Sequence, residues 1–103
     1  MNIFLSNRAS SYSAKGTYDP SSKACVVKAG SIVSVDIAYS PTFRGSNTIE
    51  RLRAKHVVDG VTIEDVAFRS LSTAANFVTG RSCNGLILWK TEDGIPLKKV
   101  LSI

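Results

Sequence analysis

The segment Ser70–Leu97 reads SLSTAANFVTGRSCNGLILWKTEDGIPL, and no other part of the chain is patterned as sharply. Either Ser70 or Ser72 can cap a helix, because a serine hydroxyl there accepts a hydrogen bond from a backbone N–H of the first turn. Apolar residues then recur at helical spacing across residues 71–78. Gly80 suits the left-handed conformation that ends many helices. These signals predict a helix over about residues 71–79.

The second half of this segment predicts a β-hairpin. Asn84-Gly85 is a strong turn dipeptide, since both residues tolerate positive φ. Residues 86–90 then read as a strand, which is apolar for most of its length. A turn at 91–94 closes on Asp-Gly, and residues 95–101 return as the partner strand. Pro96 lacks a backbone N–H, so we expect the partner strand to lie at an edge or to start beyond Pro96.

The first third of the chain predicts an antiparallel meander. Residues 3–5 form a short strand, and residues 12–18 pair with residues 23–28. The sequence Asp-Pro-Ser-Ser at 19–22 supplies the turn between them, with proline in its favoured place. The stretch 32–37 is β-branched at its apolar positions and is the next predicted strand.

A central helix completes the predicted architecture. Asn47 and Glu50 have the spacing of a capping box, so we expect a helix that starts at Asn47 and runs to about Val58, where Asp59-Gly60 stops it. The predicted fold class is α+β: an antiparallel sheet of four to six strands with two helices packed on it, ending in a helix plus β-hairpin unit. The whole chain, residues 1–103, forms a single domain.

Length and composition limit the function classes. A chain of 103 residues makes one domain, which can bury a modest core but no large enclosed active site. No apolar run approaches the ~20 residues of a membrane span. The apolar stretch at the start of the sequence is too short for a secretory signal and lacks the basic flank of one. We therefore expect a cytoplasmic protein without membrane contact.

The reactive side chains match no catalytic or metal-binding motif. Cys25 and Cys83 are far apart and, with the single His56, lack the paired ligand spacing of a zinc site. We expect two reduced thiols and a structural role for His56, which lies among aliphatic residues, rather than a general base. Glu92 and Asp93 adjoin each other in a turn, where carboxylates are usually solvated. We therefore expect no enzymatic activity, no cofactor and no metal ion.

The distribution of charge favours an anionic partner. The net charge is +5, and basic residues concentrate on the central helix and the C-terminal hairpin, on either side of the acidic stretch 57–80. We expect Arg51 and Lys55 to share one surface with at least two of the four C-terminal cations. The predicted nucleic-acid-binding residues are Arg44, Arg51, Arg53, Lys55, Arg81, Asn84, Lys90, Lys98 and Lys99.

Two side chains in the C-terminal segment have alternative interpretations. Trp89 is predicted to pack in the core against Ala74 and Ala75, and the alternative is an exposed ring that stacks on a base. Asn84 is explained by turn geometry alone. Its amide, beside Arg81 and Lys90, can instead contact a phosphate or a base edge.

The same segment also resembles a known bacterial domain family. The pattern is a serine-alanine-alanine helix, a Gly-x-x-x-Asn-Gly loop and a tryptophan strand that ends in Lys and Asp-Gly. Its residues here are Ser72-Thr73-Ala74-Ala75, Gly80-Arg81-Ser82-Cys83-Asn84-Gly85, Trp89-Lys90 and Asp93-Gly94. Further matches are Val26-Val27-Lys28-Ala29-Gly30-Ser31 and Leu52-Arg53. Over residues 16–97 the chain is similar to the domain-of-unknown-function family 4357.

The resemblance implies a role beside nucleic-acid enzymes. Members of that family often follow GIY-YIG nuclease domains, and they are distantly similar to the RAMA domains of restriction and modification enzymes. This chain departs from the family pattern at Leu86, where an aromatic is common, and between Ser70 and Ser72, where a proline is common. The implied function is a non-catalytic DNA- or RNA-binding accessory module with a nuclease or methylase partner.

Two other functions are compatible with the sequence. The chain could be a protein-interaction or scaffold module whose contact surface is the apolar strand around Ile87 and the edge near Pro96. A small hydrolytic enzyme would need a nucleophile–base pair, and the sequence places none.

Overall fold

The computed structural model describes residues 1–7, 11–35, 37 and 46–101. Within these residues the chain forms six strands and four helices, which confirms the α+β class. In chain order they are β1 (Asn2–Ser6), β2 (Ser13–Asp19), β3 (Ala24–Val27), α1 (Ser46–His56), β4 (Val57–Val58), β5 (Val61–Thr62), β6 (Val66–Phe68), α2 (Leu71–Thr79), α3 (Gly85–Leu88) and α4 (Leu97–Leu101). None of the helices described is both long and apolar enough to cross a membrane.

The main sheet is antiparallel, with four strands in the order β1-β2-β3-β6. The first three strands of the predicted meander are confirmed: β1 pairs with β2, and β2 pairs with β3 with Tyr18 opposite Cys25. Alternate residues of β1, β2 and β3 are buried, and most of those between them are exposed. Since successive side chains of a strand point to opposite faces, the sheet has a covered inner face and an open outer face.

Helix α2 packs on the inner face of the sheet, where it contacts β2, β3 and β6. Both predicted ends are confirmed, with Ser70 Oγ accepting from Thr73 N–H at 3.1 Å and Gly80 left-handed at φ 73°. Ala74 and Ala75 are completely buried, because their small side chains let the helix approach its support closely. The predicted central helix, α1, lies beside α2.

The segment around α1 differs from the prediction in detail. The helix begins at Ser46, so Asn47 lies inside its first turn rather than at the cap, and the helix ends at His56. Asp59 and Gly60 both have positive φ, 52° and 77°. They form the two-residue turn that joins β4 to β5, a geometry that suits tight hairpins. The dipeptide predicted to stop the helix thus forms the turn of a small hairpin, three residues after the helix ends at His56.

The predicted strand 32–37 is largely replaced by irregular structure in its described part. Only Ile32 forms β-bridges there, to Ser13 and to Val61. Ser34 N–H instead donates to Val78 O at 2.9 Å. The segment therefore joins the sheet to the end of α2, and Asp36 lies outside the described residues.

The largest correction concerns residues 85–101, where two short helices replace the predicted hairpin. Gly85 lies so close to the start of α2 that a Cβ on it would stand 2.5 Å from Leu71 O and from Ser72 N. Ser72 Oγ accepts from Gly85 N–H at 3.0 Å, and Asn84 Oδ1 caps α3 by accepting from Leu86 N–H at 3.0 Å. Contacts with α2 thus fix one helical turn, where an apolar run alone fits either helix or strand.

The proline of the predicted edge strand directly precedes α4 instead. Pro96 O accepts from Lys99 N–H at 3.0 Å, and proline is favoured at helix starts because its missing N–H is not needed there. One trace of the predicted pairing survives as an isolated bridge between Lys90 and Pro96.

Candidate nucleic-acid interface

Two of the predicted cations on α1 are placed as expected. Arg51 and Lys55 are exposed on this helix, and their four-residue spacing puts them on the same side of it. Arg44 lies outside the described residues. A contact between these side chains and a polyanion thus requires no rearrangement of the fold.

Arg53 is the exception, and its predicted role in phosphate binding is wrong. Its side chain is buried and hydrogen-bonded to the last turn of α2: Nε donates to Phe77 O at 3.0 Å and Nη2 to Val78 O at 3.1 Å. Nη1 donates to Ser34 O at 2.6 Å. A cation there satisfies carbonyls that a helix C-terminus leaves unpaired. The available signal was that Arg53 follows the buried Ile49 by four residues, which places both on the core side of α1.

The C-terminal candidates lie on several elements and are all exposed. Arg81 follows α2, Asn84 precedes α3, and Lys98 and Lys99 lie on α4. The side-chain oxygen of Asn84 serves as the cap of α3, so capping geometry accounts for this residue. The expected convergence of these cations with Arg51 and Lys55 stays a prediction.

Lys90 adds a short extended piece to the free edge of β1. Phe4 N–H donates to Lys90 O, and Lys90 N–H donates to Phe4 O, both at 2.8 Å. The neighbouring Trp89 is buried and the neighbours of Phe4 in β1, Ile3 and Leu5, are buried as well. Since side chains alternate along extended backbone, Lys90 and Phe4 both lie on the outer face of the sheet.

The same row continues across the next two strands. Lys15 is the direct partner of Phe4 in the β1–β2 pair, and its Nζ lies 6.0 Å from the centre of the Phe4 ring. Lys28 N–H donates to Lys15 O at 2.8 Å, which places Lys28 opposite Lys15. The outer face thus carries one row, Lys90–Phe4–Lys15–Lys28, which we call the lysine–phenylalanine row.

Sequence reasoning missed Phe4, Lys15 and Lys28 as site residues. The alternation of Ile3, Phe4 and Leu5 was a usable signal, because it assigns Phe4 to the face opposite the two aliphatic residues.

A carboxylate lies at each end of the row. Lys28 Nζ pairs with Asp65 Oδ2 at 3.3 Å, while Glu92 lines a hollow beside Lys90. The Ala29 N–H, which donates to Asp65, and the Lys28 ammonium together lower the pKa of the Asp65 carboxyl. Lys90 and Lys15, which flank Phe4, are exposed cations without a carboxylate partner among the described residues.

Trp89 is a core residue, as predicted. It is completely buried, and its ring N–H donates to Leu71 O at 3.0 Å. This bond satisfies the one polar group of the indole and ties the C-terminal segment to the first turn of α2. The base-stacking alternative for Trp89 is therefore excluded by its burial.

The surroundings of the two cysteines and of the histidine fit structural roles. Burial raises the pKa of the Cys25 thiol to about 12 and raises that of Cys83 as well, so neither thiol is activated as a nucleophile. His56 Nδ1 lies 2.6 Å from Glu64 Oε1, which connects α1 to the loop after β5. The described part of the chain contains no cluster of three or more metal-ligating side chains.

These features define a small α+β domain in which the buried Arg53 and Trp89 side chains are hydrogen-bonded and several cations are exposed. The chain belongs to the family described as domain of unknown function (DUF4357), whose model matches residues 4–101. The match is wider than the predicted 16–97 and includes both Phe4 and Lys90. Comparisons with curated proteins and with solved structures found no match.

Proposed function

We propose that this domain is a non-catalytic nucleic-acid-binding module. The observation that supports the proposal is a set of exposed cations that form no ion pair within the described chain: Arg51, Lys55, Arg81, Lys90 and Lys98. With a net charge of +5, such cations attract a polyanion, and binding releases the counterions condensed on it. The resulting affinity is largely independent of base sequence.

The module would act as an accessory to another protein. A partner nuclease or methylase of a bacterial restriction–modification system would supply the chemistry, and this domain would hold the nucleic acid near it. Such a partnership would place the domain in the cytoplasm. Its recognition of sequence would be weak, since its short basic elements offer few contacts to base edges.

Charge reversal on α1 tests the proposal. The double variant Arg51→Glu with Lys55→Glu should weaken binding to labelled duplex and single strands without unfolding the domain, because both side chains are exposed. We expect wild-type dissociation constants on the order of micromolar at moderate salt, the tight end of non-specific binding. A fluorescence anisotropy titration, repeated over a series of salt concentrations, measures the dissociation constants of the wild type and of the variant.

A matched control reverses the same number of charges elsewhere. Lys23→Glu with Arg69→Glu changes two exposed cations at the far end of the sheet, near Asp19. If this control weakened binding as much as the α1 variant, α1 would have no particular role. If the wild type failed to bind at low salt, nucleic-acid binding itself would be refuted.

One observation favours a protein-interaction module as the second candidate. Ile32, Val61 and Val58 adjoin one another through β-pairing, and they expose 44%, 37% and 55% of their surface. Ile87, the residue predicted for this function, is also 47% exposed. Association through such surfaces would persist at high salt, whereas phosphate binding weakens steeply.

A further inference from the structure

The lysine–phenylalanine row combines two features that single-stranded nucleic acids require. Phe4 presents an aromatic ring on the open face of the sheet, and Lys90 and Lys15 lie on the adjoining strands on either side of it. Strands in a sheet are ~4.8 Å apart, so both ammonium groups can reach a backbone that passes the ring. Aromatic rings stack on bases of any sequence, and lysines follow the phosphates.

The surface around Phe4 also has room for a ligand. A hollow of about 350 Å³ lies between Phe4, Lys90 and the turn at Glu92. A second hollow of about 250 Å³ lies on the other side of the ring, beside Lys15 and Lys28. A planar base that covers Phe4 would extend into one or both hollows.

The geometry points to this row as a binding site for single-stranded DNA or RNA, with one base stacked on Phe4 and the flanking phosphates on Lys15 and Lys90. This inference rests on the proposed function and names the site and the form of the nucleic acid. A duplex keeps its base faces inside the stack, so it cannot use the ring. Only its phosphates would contact the lysines.

The free protein already contains an interaction that the base would replace. Lys15 Nζ lies within cation–π range of the Phe4 ring. A base that stacks on the ring displaces the ammonium toward a neighbouring phosphate, so the cation changes partner without being left unpaired. Asp65 and Glu92 limit the cationic stretch at its two ends, and the site therefore accommodates only a few nucleotides.

The test compares Phe4→Leu with the wild type on a labelled ten-nucleotide oligothymidylate and on a labelled duplex. Leucine retains the backbone bonds to Lys90 and an apolar side chain but removes the stacking surface. We expect single-strand affinity to fall about tenfold, within the range measured for base–aromatic stacking, while duplex affinity stays within twofold. Thr17→Ala, which changes a neighbouring position on the same face, is the control and should alter neither affinity.

Two further variants separate stacking from charge and from folding. Phe4→Trp should retain or tighten single-strand binding, which a merely destabilising change at this position would not do. For single-strand binding, the slope of log K against log salt concentration should become shallower by about 1.4 in Lys15→Gln with Lys90→Gln, since each of the two lost phosphate contacts contributes ~0.7.

The outcomes distinguish this inference from the proposed function. If the wild type binds both probes and Phe4→Leu binds single strands as tightly as the wild type, the row is not the site and the proposed function stands. Equal losses on single strand and duplex would also overturn the inference, since stacking was assigned to single strands alone. If the wild type binds neither probe at low salt, both proposals fail.

Discussion

The surroundings of α2 and the outer face of the sheet use the same residue types for opposite purposes. Around α2, the polar groups of Trp89 and Arg53 are hydrogen-bonded to backbone carbonyls and removed from water. On the outer face, Phe4 is only half-buried and its flanking lysines are exposed. An aromatic or a cation in this chain is therefore structural or available for binding according to the face on which the backbone places it.

The same contrast holds within a single helix. Arg51 and Arg53 are two residues apart on α1, yet one is exposed and the other donates to the last turn of α2. Residues two apart on a helix do not share a face. Changes around α2 should therefore affect stability, and changes on the outer face should affect binding.

The largest effect is expected at the indole that joins the C-terminal segment to α2. Trp89→Ala should lower the free energy of unfolding by about 3–5 kcal/mol, as other large-to-small core substitutions do. Trp89→Phe retains most of the volume but removes the indole hydrogen bond to Leu71 O, and should cost about 1 kcal/mol. Urea unfolding followed by circular dichroism measures both values, and a fully stable Trp89→Ala variant would contradict the assignment of this residue to the core.

The next effect compares the two arginines of α1. Arg53→Met should destabilise the domain by about 2–3 kcal/mol, because it removes the side-chain donor to Phe77 O and leaves Val78 O with only the Ser34 N–H. Arg51→Met is the matched control and should change stability by less than about 0.5 kcal/mol, as is usual for surface positions. The same two variants should have the opposite order of effect on nucleic-acid affinity per folded molecule. Equal stability losses would remove the distinction between the two positions.

A smaller loss is expected where α3 meets α2. Gly85→Ala places a Cβ against the backbone of Leu71 and Ser72, and overpacking of this kind costs about 1–3 kcal/mol. Ser72→Ala removes only the hydrogen bond to Gly85 N–H and should cost about 1 kcal/mol. Thermal unfolding of the two variants compares the stability cost of the steric clash with that of the lost hydrogen bond. An unchanged melting temperature for Gly85→Ala would show that α3 can move away freely.

The predictable parts of the fold are those fixed by local chemistry. The β2–β3 hairpin follows from its Asp-Pro-Ser-Ser turn and its alternating residues, and the ends of α2 follow from Ser70 and Gly80. The apolar run at residues 86–90 predicts a strand, although such a run fits a helix equally well. The helix there depends on the contact of Gly85 with α2, which no local pattern contains.

The candidate site was predicted only in part for the same reason. Exposed cations such as Arg51 and Lys55 could be found from charge and helical spacing. The lysine–phenylalanine row exists because Lys90 pairs with Phe4 from the other end of the chain. The alternation along β1 could place Phe4 on the outer face, but neither residue alone carries a signal of their pairing, so the row itself could not be identified from the sequence.

The smallest and most discriminating change is Asp65→Asn, which affects both stability and binding. The pKa of Asp65 lies below its ordinary value of 3.8, so the ionised carboxylate contributes stability above that value. This contribution is lost as the pH falls through the lowered pKa of the folded state. The variant should therefore be slightly less stable than the wild type at neutral pH and should lose less stability on acidification below about pH 4.

The same substitution should strengthen nucleic-acid binding. It removes the carboxylate partner of Lys28 and so adds a cation to one end of the row. Single-strand affinity should rise. The slope of log K against log salt concentration should steepen by about 0.7, the value for one added phosphate contact. Combining Asp65→Asn with Lys28→Gln should cancel that gain but leave the altered pH dependence, because residue 65 carries no titratable carboxyl in either variant. A gain that survived the double variant would mean that Lys28 takes no part in binding, and the row would end at Lys15.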